Sequence, residues 1–110
     1  MSHDIVFLQS AAEDLMEIRR YIRRHFSERT WARAYTKIKK AIQHLEKFPY
    51  SGHAPAELPA GHFLEIIAVK NRVIYQVVGT TVYIHIVCDS RQDFKTRLQR
   101  RPLRPLLPRV

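Results

Sequence analysis

The chain has 110 residues, room for one domain with a single modest core, and 19 Lys and Arg against 10 Asp and Glu leave a formal charge of +9. No apolar run approaches the roughly 18 residues that cross a bilayer, the N-terminal residues lack the basic lead and apolar stretch of a secretory leader, and the one cysteine, Cys88, excludes an internal disulfide or a cysteine-based zinc site. These features predict a soluble cytoplasmic domain whose partner is anionic, either nucleic acid or an acidic protein segment.

Asp4 to Gln9 holds a short apolar run of strand length, Ile5-Val6-Phe7-Leu8. Ser10 with Glu13 three residues later has the spacing of a capping box. Ala11, Leu15, Ile18, Ile22 and Phe26 then recur at helical spacing, with Arg19, Arg20, Arg23 and Arg24 turned away from that stripe. The pattern breaks at His25-Phe26-Ser27. Ser27, followed by Glu28, predicts a second helix start, and Trp31, Ala34, Tyr35, Ile38, Ala41, Ile42, Leu45 and Phe48 form its apolar stripe up to Pro49. Two helices with so short a connection form an antiparallel hairpin. Tyr50 to Gly61 reads as a loop, and strands follow at His62 to Val69, Arg72 to Val78 and Thr81 to Cys88. A short helical or extended segment, Arg91 to Arg101, leads into a proline-rich tail. The order is α+β: a strand and a helical hairpin packed on one face of a small antiparallel sheet.

A two-residue turn at Gly79-Thr80 would pair Val78 with Thr81, Gln76 with Tyr83, Ile74 with His85 and Arg72 with Val87. A turn at Lys70-Asn71 would pair Val69 with Arg72, Ile67 with Ile74 and Glu65 with Gln76. Alternation then gives one apolar face, Leu64, Ile66, Ala68, Val73, Tyr75, Val77, Val82, Ile84, Ile86 and Cys88, for the helices to cover. The other face gathers Glu65, Arg72, Gln76, Tyr83 and His85 as an open polar surface, with Arg91 just beyond the last strand. A carboxylate, a guanidinium, an imidazole and a phenol in one place make it the candidate working surface.

The A-A-E-D-L start, H-L-E-K-F-P-Y-S-G, the E-L-P loop, N-R-V-I-Y-Q-V-V-G-T-T-V-Y-I-H-I-V and C-D-S-R-Q-D-F occur in the order found in the RelE/ParE superfamily of bacterial type II toxins, which the chain resembles over nearly its whole length. The resemblance implies a β-α-α-β-β-β toxin domain over residues 1–101 with a Pro/Arg-rich tail at 102–110. It also implies a cognate antitoxin, acidic and partly disordered, that folds on binding. No cofactor, metal or membrane is implied. ParE-like members poison DNA gyrase without cleaving nucleic acid. RelE-like members cut messenger RNA on the ribosome, which requires a base, an acid and cations for the phosphorane charge. In that second branch Arg72 matches the phosphate-clamping arginine and Arg91 a further phosphate ligand, with Glu65 and His85 as base and acid. The lysine pair of some nucleases falls on Phe63 and Glu65.

The R-Q-D-F segment and basic tail lean toward the ParE branch, with Arg72, Gln76, Tyr83, His85, Arg91, Arg97, Arg100 and Arg101 as target contacts. The antitoxin would then meet the helical hairpin at Leu15, Ile18, Arg19, Ile22, Arg23, Tyr35 and Ile38, where a groove suits an amphipathic partner helix. The scattered His3, His25, His44, His53 and His62 have no metal-ligand spacing, and Cys88 reads as a small buried hydrophobe. A plain basic adaptor remains the third reading.

Overall fold

The structure, a computed structural model, describes residues 2–58 and 61–106. Pro59 and Ala60 of the predicted loop, and 107–110 of the predicted tail, lie outside the described residues. In chain order the elements are β1 (Asp4–Phe7), α1 (Gln9–His25), α2 (Glu28–His44), β2 (Leu64–Ala68), β3 (Asn71–Val78), β4 (Thr81–Asp89) and α3 (Phe94–Arg100). The expected α+β order holds. The sheet order is β1-β4-β3-β2, with β1 parallel to β4 and the other neighbours antiparallel.

α2 begins where Ser27 predicts: its Oγ accepts from the Thr30 N–H at 3.0 Å. α1 does not use Ser10 as a cap. It starts two residues earlier than a Ser10 cap would set it, directly out of β1, with Leu8 at the cap position and no side-chain cap. Ser10 Oγ instead donates to the His85 carbonyl at 3.2 Å, because β4 outruns its partner strand and leaves backbone groups to be satisfied. Both helices stop short of the ends of their stripes, so Phe26 and Phe48 are exposed.

The principal core lies between the helices and the sheet. Ala11, Ile38, Ile42 and Leu45 meet Val73, Tyr75, Val82, Ile84 and Val87, all buried. Each fully buried aliphatic side chain here contributes about 1.5–3 kcal/mol of transfer free energy.

Val78 opposes Thr81 and Gln76 opposes Tyr83, with Gly79 at φ +59° in the turn, as expected. Beyond that the register changes. Tyr75 opposes Ile84 but Ile74 opposes Ile86, so His85 is an extra residue in β4. A bulge puts two successive residues on one face and inverts the phase thereafter. Ile86 and Cys88, expected under the helices, therefore lie on the far face, and Val87 takes the place under the helices. The expected pairs Ile74–His85 and Arg72–Val87 are replaced by Ile74–Ile86 and Arg72–Cys88.

The β2–β3 turn also differs. Ala68 opposes Asn71, so the turn residues are Val69 and Lys70, and Val69 sits at φ +60°, a left-handed conformation unfavourable for a β-branched side chain. Glu65 consequently opposes Ile74 and Ile67 opposes Arg72. The pairing offset is two residues in total, so Glu65 keeps its predicted face.

The far face is not the open polar surface expected from alternation. α3 and the segment behind it fold back across it, and Phe63, Ile74, Ile86, Cys88 and Phe94 form a second small core flanked by Leu58, Leu98 and Leu103. α3 is held at its start by Asp93, whose carboxylate accepts from the Thr96 N–H at 3.3 Å and the Thr96 hydroxyl at 2.7 Å. Phe94 and Leu98 share one side of it.

Candidate functional site

The loop after α2 is fixed first, because it delivers a carboxylate to the far face. Tyr75 Oη, reaching through the sheet's helix side, donates to the Pro49 carbonyl at 2.8 Å and accepts from the Gly52 N–H at 3.0 Å. A Cβ on residue 52 would stand 2.6 Å from both the Glu65 carbonyl and Tyr75 Oη, so only glycine permits this approach. His53 then bridges Glu65 through two backbone hydrogen bonds, and four residues later Glu57 arrives over β3.

There it meets Arg72. The guanidinium Nη1 and Nη2 donate to the two Glu57 oxygens at 2.8 Å each, and Nε donates to Glu65 at 3.0 Å. The Phe94 ring lies 4.2 Å from Arg72 Cζ. The Arg72 side chain is 12% exposed and that of Glu65 7%. Hydrogen bonding to Glu57 raises the already high Arg72 pKa, and the same contact holds the Glu57 carboxyl below its usual range. Four of the five N–H groups of this ring-covered arginine are engaged by two carboxylates, which leaves no paired donors to fork onto a phosphate.

Next along the same face, His85 Nε2 lies 3.2 Å from Gln76 Oε1 and its ring meets Phe63 edge-on. Gln76 in turn grips the main chain of Leu106: its Nε2 donates to the Leu106 carbonyl at 2.6 Å and its Oε1 accepts from the Leu106 N–H at 2.8 Å. The segment after α3 thus closes over both side chains. Burial pushes the His85 pKa down and the Cys88 thiol up, so the imidazole is kept neutral and the thiol unreactive. Tyr83, opposite Gln76, is half-buried at the margin.

A second charged node anchors the C-terminal helix. Asp14, 3% exposed in α1, accepts from the Val87 N–H at 3.1 Å and is bridged by Arg97 and Arg101. One carboxylate therefore links α1, the bulged end of β4 and α3. With Glu17, Gln92, Asp93, Thr96 and Arg100 it lines a polar cleft of about 620 Å³. Arg91 stays outside, 70% exposed, bound to its neighbour Asp89.

On the opposite side of α1 runs an apolar groove of about 660 Å³, bounded by Ile5 and Phe7 of β1, Leu15, Met16 and Arg19 of α1, and Trp31, Tyr35 and Ile38 of α2. β1 is an edge strand there, with Val6 and Phe7 exposed.

The residues singled out from sequence therefore separate into three places. Glu65, Arg72, Gln76 and His85 are together but enclosed. Arg97, Arg100 and Arg101 border the polar cleft. Leu15, Arg19, Tyr35 and Ile38 line the groove, while Ile18 packs into the main core, Ile22 is half-buried and Arg23 bridges Glu28 at the hairpin tip. Sequence reasoning missed two residues. Asp14 stood in plain view as a carboxylate inside the apolar stripe Ala11-Leu15-Ile18, but Glu57, in an aperiodic loop, gave no signal. No helix is long and apolar enough to cross a membrane, and no group of His, Cys, Asp or Glu is placed to hold a metal, among the described residues.

The family model described as ParE toxin of type II toxin-antitoxin system, parDE, matches residues 5–94. A search of curated proteins finds no match. Among solved structures the fold resembles the chromosomal ParDE toxin-antitoxin system of P. aeruginosa, with TM-score 0.69 and 15% identity over 80% of this chain and 96% of that one. It also resembles the toxin-antitoxin complex RelBE2 of Mycobacterium tuberculosis, at TM-score 0.57 and 19% identity over 81% and 99% of the two chains. Free E. coli toxin RelE, a double mutant, aligns at TM-score 0.57 and 16% identity over 94% and 100%. Identities this low carry the fold alone, but the sequence model spans the chain from β1 to the first residue of α3, and on that match the chain belongs to the ParE toxin family of type II toxin-antitoxin systems.

Proposed function

We propose that this toxin acts on DNA gyrase without cleaving nucleic acid, and that an antitoxin neutralises it from the groove between α1, α2 and β1. One observation carries the choice of target. The arginine that an RNA-cutting toxin would use as phosphate clamp, Arg72, has its donors engaged by Glu57 and Glu65 under the Phe94 ring. The neighbouring imidazole, His85, is 4% exposed and held neutral. Clamp, base and acid would all have to be uncovered before a phosphodiester could enter, which disfavours the nuclease reading. Arg91, Arg97, Arg100 and Arg101 remain as cations at or near the surface for a macromolecular target.

The groove supports the antitoxin assignment. Its apolar lining suits the buried stripe of an amphipathic helix, the open edge of β1 suits an added strand, and the toxin's +9 charge suits an acidic chain. The test is a pair of assays on the purified chain: gyrase supercoiling of relaxed plasmid, and cleavage of messenger RNA on programmed ribosomes. Blocked supercoiling with intact RNA is the expected result. Ribosome-dependent cuts with unimpaired supercoiling would overturn the proposal.

A further inference from the structure

We propose that the outer face of α2 is a docking surface for the phosphate backbone of duplex DNA. Arg29, Arg33, Lys37, Lys40 and His44 of α2 follow one another at intervals of three or four residues, the repeat that stacks side chains on one helix face, and Lys47 follows in the turn just past the helix end. All six are exposed. From Arg29 to His44 the row extends about 22 Å along the axis. It lies opposite the stripe Trp31, Ile38 and Ile42 that α2 buries, and to one side of Tyr35 and Lys39, which line the apolar groove. An occupant of the groove therefore leaves the row open.

Solubility does not account for it. Residues 29–45 contain no carboxylate, Glu46 being the single one between Arg29 and Lys47, and none of the six side chains takes part in an ion pair among the described residues. α1 shows the alternative: its solvent face mixes Glu13 and Glu17 with Arg20 and Arg24. A mixed face confers solubility equally well, whereas like charges one turn apart repel. The arrangement works against the folded helix and is relieved when an anionic line lies along it.

The chemistry of the row selects the occupant. Its members are five Lys and Arg cations and one histidine, with no Asn or Gln among them to read base edges, which fits contacts to phosphate rather than to sequence. Apart from the Phe48 ring stacked on His44 at one end, it has no aromatic platform for unpaired bases, so a single strand gains little. A duplex presents a stiff line of charge, about one per 1.7 Å of axis, to a row that is itself straight. The inference stands apart from the gyrase reading, since DNA binding by the isolated toxin and inhibition of supercoiling are measured separately.

The experiment is fluorescence anisotropy of a labelled, arbitrary-sequence duplex of about 24 base pairs, titrated with the toxin at salt from about 50 to about 200 mM. The expected log–log salt slope is about −4, from four to five phosphate contacts at about −0.9 each. Arg33→Ala/Lys37→Ala/Lys40→Ala should reduce the slope by about 2.7 and weaken binding at least about tenfold. The milder Lys37→Gln/Lys40→Gln, at exposed positions, should reduce it by about 1.8. Arg20→Ala/Arg24→Ala/Lys70→Ala removes the same charge elsewhere and should leave the slope nearly unchanged. Absence of binding, equal losses in the row and control variants, or equal competition by polyglutamate or by single-stranded RNA would each overturn the proposal.

Discussion

Replacing Arg72 by alanine leaves two carboxylates facing each other across an emptied site. Glu57 sits in a loop and can turn to water, but the Glu65 side chain is 7% exposed and fixed by β2–β3 pairing. Its other ionisable neighbour is His53, 3.6 Å away and largely exposed. Breaking a buried pair while stranding one charge costs about 3–5 kcal/mol. Loss of the Phe94 contact and of the aliphatic stem adds to that. Against a total of about 5–15 kcal/mol for a domain, Arg72→Ala should therefore leave the protein marginal. The double variant Glu65→Gln/Arg72→Met removes the stranded charge and keeps the volume, and should recover more than half of the loss. Urea unfolding followed through the fluorescence of the single tryptophan, buried Trp31, measures both. A change below about 1 kcal/mol for Arg72→Ala, or no recovery in the double variant, would refute the view that Arg72 is a structural cation.

The His85 pKa lies below its ordinary 6.5, so above that pH the imidazole is neutral in both states and its contribution to stability is complete. As pH falls below 6.5 the unfolded chain takes up the proton first and stability declines until the folded pKa is reached; the lowered Glu57 carboxyl adds a second loss at more acidic pH, as it protonates. Urea midpoints between neutral and mildly acidic pH should show the first decline, and His85→Asn should flatten it. Asp14→Asn leaves an acceptor for the Val87 N–H but removes the counter-charge of Arg97 and Arg101. It should cost about 1–3 kcal/mol and raise amide exchange selectively in α3; unchanged protection of α3 would contradict its anchoring role. Val69→Gly relieves a φ of +60° at an exposed turn and should stabilise the protein by about 1 kcal/mol, read as a higher urea midpoint. A lower midpoint would mean that the Val69 side chain contributes more by packing than its backbone costs.

The amino-acid order alone determined whatever depends on neighbours a few residues apart. The stripes Ala11-Leu15-Ile18 and Trp31-Ile38-Ile42 specify two amphipathic helices, Ser27 caps the second, and β-branched alternation around Gly79 specifies a hairpin, because helix and strand periods act within one or two turns of chain. It also brought Glu65, Arg72, Gln76 and His85 to one face, since a two-residue change of register preserves facing. The tertiary structure decided what lies over that face. The bulge at His85 arises where β4 must satisfy both β3 and the polar side chains of α1, and it moved Ile86, Val87 and Cys88 across the sheet. Glu57 meets Arg72 only because Gly52 and Tyr75 pin a loop with no period of its own. α3 and the chain behind it cover the far face because Phe94, Leu98 and Leu103 find an apolar patch there that exists only after the strands have paired. Periodicity is a local property, whereas desolvation and charge pairing are settled between segments that meet only in the folded chain, so the same residues that read as an open polar surface become an enclosed, self-neutralised one.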